Sequence, residues 1–125
     1  MPPRTRILFV DDEPNIRLTL PPILEQHGFE VKAAGTVAEA LNEISASRFD
    51  VLISDLNVGE NGDGFSVVSE MRKRQPDCIT MILTGYPAFE SAVEALHHRV
   101  DDYVVKPVDV DSLVSSLRDK LTRKN

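Results

Sequence analysis

One arrangement recurs five times along this chain: a short apolar run rich in strand formers, a polar break, then apolar residues at helical spacing. Arg6-Ile-Leu-Phe-Val10 is the first run, and it stops abruptly at Asp11-Asp12-Glu13-Pro14. Pro14 suits the first turn of a helix, Ile16, Leu20, Ile23 and Leu24 follow at helical spacing, and Gly28 supplies a stop. Pro21-Pro22 falls inside that helix, where each ring removes a backbone donor and crowds the preceding turn, so a kink or break is expected. Phe29–Ala34 alternates like a strand, and Thr36-Val-Ala-Glu39 has the spacing of a capping box ahead of the stripe Val37, Ala40, Leu41 and Ile44. Val51-Leu-Ile-Ser54 reads as a third, buried strand ending at Asp55, with Leu56–Gly64 a glycine-rich loop and Phe65–Arg74 a helix. Cys78–Leu83 is a fourth strand ending at Thr84. Phe89, Ala92, Val93 and Leu96 mark a fourth helix, Asp102–Val105 a fifth strand, and Val110, Leu113, Leu117 and Leu121 a last helix.

Strands alternating with helices in this way call for a parallel sheet with helices on both faces, since a right-handed helical crossover is the way back to a parallel neighbour. Five such units fill all 125 residues, so one domain over 1–125 is expected. A chain of this size buries roughly two-thirds of the surface its unfolded form exposes, which makes a self-sufficient core. Cys78, the one cysteine, cannot form an internal bridge, and no charged-then-apolar leader is seen, so a cytoplasmic protein is expected. Apolar runs such as Ile79–Leu83 fall far short of the about 20 residues a membrane span needs. Twenty acidic against fourteen basic side chains give a net charge of -6, which argues against broad contact with nucleic acid.

Doubly wound sheets gather ligands beyond the carboxyl ends of their strands. That rule selects Asp11, Asp12, Asp55, Thr84 and Lys106, each at or just past a strand end. Three carboxylates held together repel one another unless a proton or a cation relieves them. An all-oxygen, incomplete ligand set that leaves room for water and a phosphoryl group suits Mg²⁺ better than Zn²⁺ or Ca²⁺. Lys106 adds a point charge for an oxyanion and Thr84 a hydroxyl donor, so the set fits phosphoryl transfer to a carboxylate.

Taken singly, each residue has a plainer reading. Acids after a strand are commonly a solvated turn, Asp55 alone a cap or turn residue, Tyr103 a core aromatic and Lys106 a surface lysine. It is the convergence of four strand ends that favours the site. Leu56–Gly64 is no EF-hand, because the fifth and twelfth places from Asp55 are Gly59 and Ser66. His27, His97 and His98 sit near helix ends, where capping or exposure explains them, and Cys78 suits the core. Arg72-Lys-Arg74 and Arg118–Lys124 read as solvated faces. A flavin or nucleotide binder of this fold wants amides, not carboxylates, after the first strand. A metal-dependent phosphatase commonly has a second acid two places beyond its nucleophile, where this chain has Asn57.

Phe9-Val-Asp-Asp-Glu-Pro14, Ser54-Asp-Leu56 with Asp63-Gly64, Ile82-Leu-Thr-Gly85 and Asp101-Asp-Tyr-Val-Val-Lys-Pro107 resemble the motifs of CheY-like receiver domains of bacterial two-component response regulators, over the chain from about Arg4 onward. The resemblance implies a flavodoxin-like (βα)5 three-layer sandwich with strand order 2-1-3-4-5. It implies that Asp55 accepts a phosphoryl group from a histidine kinase or phosphotransfer protein, and that Asp12 and Asp55 ligate Mg²⁺ with the Asn57 carbonyl while Asp11 helps through water. It makes Thr84 and Tyr103 a switch pair, brings Lys106 to the phosphoryl group, and implies a cis Lys106-Pro107 bond. Catalysis would be limited to the domain's own phosphorylation and dephosphorylation, with homodimerisation through the fourth helix, fifth strand and last helix. The chain departs from the family in three places. The segment after Asp55 reads Leu-Asn-Val-Gly-Glu-Asn-Gly-Asp-Gly, one residue longer than Leu-x-Met-Pro-x-x-Asp-Gly and without its proline. Arg99 stands where a glycine is usual, and the double proline is unusual. A phosphorylation-independent binding module is the alternative.

Overall fold

Each of the five apolar runs forms a strand and each is followed by a helix: β1 (Arg6–Val10), α1 (Pro14–Gln26), β2 (Glu30–Ala34), α2 (Val37–Ala46), β3 (Val51–Asp55), α3 (Asp63–Arg74), β4 (Ile79–Thr84), α4 (Phe89–His97), β5 (Asp102–Val105) and α5 (Val110–Lys124). The structure, a computed structural model, describes residues 4–59, 63–85 and 88–124, with the backbone alone at 89–91 and 124. Residues 60–62 of the expected loop and the side chain of Phe89 therefore lie outside the described residues. The strands pair in parallel in the order β2-β1-β3-β4-β5, as the resemblance implies.

Successive strand residues point to opposite faces, and this divides the core in two. Leu8, Val10, Leu52 and Ile82 pack with Ala40 and Ile44 of α2, Val67, Val68 and Met71 of α3, and Ala95 of α4. Ile7, Phe9, Val51, Ile53, Met81 and Leu83 pack on the other side with Leu20 and Leu24 of α1 and Leu113, Val114 and Leu117 of α5. Full burial of such a side chain contributes about 1.5–3 kcal/mol, so these two layers supply the main driving force for the sandwich. β3 and β4 are buried along their whole length. The edge strands differ: β2 exposes Glu30, Lys32 and Ala33, and β5 has four residues, the last of them exposed.

The capping box forms, with Thr36 Oγ1 accepting from Glu39 N at 3.1 Å. Cys78 is buried in the first core layer, and His27 and His98 cap the C-termini of α1 and α4. Two expectations are corrected. Helix α1 is continuous through Pro21 and Pro22, so the break expected as one of the two outcomes does not occur. A proline's own φ is helical, so its penalty falls on the carbonyls one turn back. Here burial of Leu20, Pro21 and Leu24 holds the helix together.

Arg72, placed on a solvated face from sequence, is half-buried and clamps the turn between α4 and β5. Its Nε donates to His98 O at 3.2 Å, its Nη2 donates to Arg99 O, and it pairs with Asp101 at 3.7 Å. The ring of His98 stacks on Phe65 of α3 at 4.9 Å. The clamped residue, Arg99, has φ 56°, in the left-handed region. An L side chain there costs about 1–2 kcal/mol relative to glycine, and glycine's greater freedom when unfolded returns part of that difference. Arg99→Gly is therefore expected to stabilise the fold by up to about 1 kcal/mol, read from the urea denaturation midpoint at unchanged slope; a lower midpoint would contradict this account.

Candidate active site

Strand register decides which side chains meet. Val10 lies opposite Ser54, Asp55 opposite Leu83, and Thr84 opposite Val105, so the carboxyl ends of β1, β3, β4 and β5 finish level. Asp11 and Asp12 follow β1, Asp55 ends β3, Thr84 ends β4, and Lys106 follows β5. Lys106 N donates to Thr84 O at 2.8 Å, which extends the ladder by one residue, and the Lys106-Pro107 bond is cis.

The structure brings the expected acids together: carboxylate oxygens of Asp11, Asp12 and Asp55 lie within 4.8 Å of one another. Asp11 is fully buried, Asp55 is 8% exposed and Asp12 is exposed. Lys106 Nζ sits between the two buried acids, 3.1 Å from Asp11 Oδ2 and 3.0 Å from Asp55 Oδ1. Asp11 Oδ1 also accepts from Glu13 N at 2.9 Å, so both oxygens of Asp11 are engaged, whereas Asp12 and Asp55 each have one oxygen bonded, to Gly59 N and to Lys106. The donor set is all oxygen, which fits Mg²⁺. Thr84 is fully buried at the end of β4, and Asn57 is half-buried two residues past Asp55.

Tyr103 is half-buried and packs against the first core layer. Its hydroxyl is buried and, among the described residues, has no hydrogen-bond partner. The ring therefore already lies inward in this state of the protein.

Three contacts here have no signature in the sequence. Gly59 N donates to Asp12 Oδ2 at 3.0 Å, and Gly59 has φ 94°, a backbone conformation suited to glycine. The lengthened segment after Asp55 thus reaches back to the acid pair. Arg17 of α1 donates from Nη1 to Asp11 O at 2.8 Å. At Gly64 the start of α3 runs so close to β3 that a Cβ would collide with Asp55 O and lie 2.8 Å from Leu56 Cα. The Asp-Gly pair in the sequence signals a glycine at this point, but not the backbone it must pass.

Burial raises the pKa of Asp55 above the ordinary 3.8; the Lys106 bond opposes the rise and the charges of Asp11 and Asp12 add to it. For Lys106, burial works against the charged form, but the bonds to Asp55 and Asp11 outweigh it and the pKa lies above the ordinary 10.5. A carboxyl whose folded pKa is raised contributes stability that is fully present below its unfolded pKa and is lost as pH rises through the folded value. Asp55→Asn is accordingly expected to melt above the parent at neutral pH without divalent ions, with the gap closing as pH falls towards 3.8. A parent protein equal to or more stable than the variant at neutral pH would refute this.

Comparison with known proteins agrees with the geometry. The family model for the response regulator receiver domain matches residues 7–118. The regulatory protein AtoC of Escherichia coli is 38% identical over 108 residues, 86% of this chain and 23% of AtoC, so the chain spans about a quarter of that relative. The solved CheY-like receiver domain protein of Methanospirillum hungatei superposes with a TM-score of 0.92 at 30% identity, covering 98% of this chain and 97% of that one. Response regulator TrrA of Thermotoga maritima, solved in complex with Mg(2+)-BeF, gives a TM-score of 0.80 at 34% identity over 92% of this chain and 97% of its own. Among the described residues no helix is long and apolar enough to cross a membrane. The match over most of its length, onto the fold and the acidic pocket just described, makes this chain a member of the response regulator receiver domain family.

Proposed function

We propose that the chain takes a phosphoryl group onto Asp55 from the phosphohistidine of a kinase or phosphotransfer protein in the cytoplasm, and that the modified site alters the face made by α4, β5 and α5. The observation that carries this reading is Lys106 Nζ, held at 3.0 Å from Asp55 Oδ1 and 3.1 Å from Asp11 Oδ2. That lysine leaves Asp55 Oδ2 as the oxygen it does not hold, so Oδ2 is the nucleophile. A bond forms from Oδ2 to phosphorus while the phosphorus–nitrogen bond to the donor breaks, and the imidazole departs with the electron pair. Such a transfer asks the protein mainly for alignment and charge neutralisation. Lys106 meets the charge on one side. Asp12, Asp55 and the Asn57 carbonyl would hold Mg²⁺, which when bound neutralises phosphoryl oxygens, and Asp11 contributes through water. The Mg(2+)-BeF complex of TrrA supports the assignment by likeness.

Thr84 would donate its hydroxyl to the new phosphoryl oxygen. Its movement and that of the inward Tyr103 ring would carry the change to α4 and β5, where Leu96 is 75% and Val105 47% exposed. Those two side chains also support a second copy of the chain docking on this face. No direct contact with nucleic acid is proposed.

Acetyl phosphate with Mg²⁺ is expected to add one phosphate to the parent, seen by intact mass, and none to Asp55→Asn; equal uptake by that variant would overturn the assignment. Asp12→Ala should weaken Mg²⁺ binding by more than about tenfold in a calorimetric titration, since even partners behind the ligands commonly matter that much. Affinity equal to the parent's would exclude Asp12 as a ligand.

A further inference from the structure

The peptide joining Asp11 to Asp12 lies just past β1, where the ladder to β2 makes its last bond at Asp11 N, and both sides of Asp11 are tied. Asp11 N donates to Ala34 O at 3.1 Å, and Asp11 O accepts from Arg17 Nη1 at 2.8 Å. Arg17 is half-buried on α1 and, among the described residues, makes no ion pair, so its guanidinium is committed to this backbone oxygen rather than to a surface carboxylate.

The guanidinium lies over Gly35, in the turn between β2 and α2. A Cβ at Gly35 would lie 2.6 Å from Arg17 Nη1, 2.8 Å from Cζ and 3.3 Å from Nε. Its φ is not in the left-handed region, so what glycine supplies there is room, and the atoms a side chain would meet are the movable end of Arg17. The room is filled by Arg17. A residue on α1 and a missing side chain after β2 thus act together on one carbonyl.

That carbonyl sets the plane of the peptide from which the side chain of Asp12 projects. The carboxylate of Asp11 accepts from Glu13 N, which closes a turn around this peptide, and is also held by Lys106, while that of Asp12 accepts from Gly59 N; Arg17 is the group among these that holds the peptide oxygen itself. We infer that Arg17, seated on Gly35, is a positioning residue for the metal site: it fixes the Asp11–Asp12 peptide so that Asp12 is aimed before the ion arrives. The inference rests on Asp12 and Asp55 being the ligands. Preorganisation of this kind appears in affinity for the ion, because ordering the ligand otherwise has to occur on binding.

The test compares the parent with Arg17→Met, which keeps an apolar stem and removes the donor, with Gly35→Ala, which retains the arginine but pushes its guanidinium off its seat, and with the double variant. Mg²⁺ is titrated by calorimetry, and labelling by acetyl phosphate is followed against Mg²⁺ concentration. Each single variant should raise the Mg²⁺ dissociation constant about tenfold, with the labelling rate recovering at saturating Mg²⁺. The double variant should be no weaker than Arg17→Met, because both changes break one contact. A purely structural role would lower the denaturation midpoint and leave the Mg²⁺ constant unmoved, and that result would overturn the proposal. So would losses that multiply in the double variant. Should one single variant fail to fold, the other decides by the same measurement. A parent that binds Mg²⁺ but is not labelled would sink the phosphoacceptor reading, while the titrations still decide the role of Arg17.

Discussion

A single ammonium group makes the carboxyl end of this sheet tenable. Two acids are buried beside a third, and Lys106 Nζ lies within hydrogen-bond reach of both buried ones. Burying a lone carboxylate is expensive, and a buried pair holds only with good geometry and further hydrogen bonds. Both conditions come from the strand order. Lys106 follows an edge strand and reaches past β4 to Asp55 on β3 and Asp11 beyond β1, which the order β1-β3-β4-β5 permits at one end of the sheet. Even so, burial and the neighbouring acids still disfavour the charge on Asp55. That residual strain is what a bound cation would relieve.

The fold was legible because each level of the sequence pointed the same way. The apolar runs, Gly28, Thr36 with Glu39, and the strand-end acids all mark boundaries that the structure keeps to within a residue or two. The acids were found by a positional rule, since one end of a parallel sheet collects whatever follows its strands. Family resemblance supplied the strand order and the cis bond, which periodicity could not.

What escaped was of another kind. Arg17 to Asp11 O, Gly59 N to Asp12, and Arg72 to the carbonyls of His98 and Arg99 are all bonds with one backbone partner. Every residue carries a backbone amide or carbonyl, so no residue type announces such a contact. The unbroken α1 misled for a related reason. Local penalties at Pro21 and Pro22 are visible in the sequence, whereas the burial that outweighs them belongs to the tertiary structure.

The two edge strands bear on how copies of this domain can associate. An edge offers unpaired amides and carbonyls as a template for another strand, and charged residues, shortness and proline all blunt that template. β2 exposes Glu30 and Lys32, which pair with Arg6 at 3.3 Å and Glu43 at 3.5 Å. β5 has four residues, preceded by Asp101 and followed by Lys106-Pro107. Neither margin invites a neighbour's strand to continue the sheet. Any association of two copies would thereby rest on side-chain contacts and not on shared main-chain ladders. A joined sheet would lock two copies together through main-chain bonds, whereas side-chain contacts can be remade by small shifts.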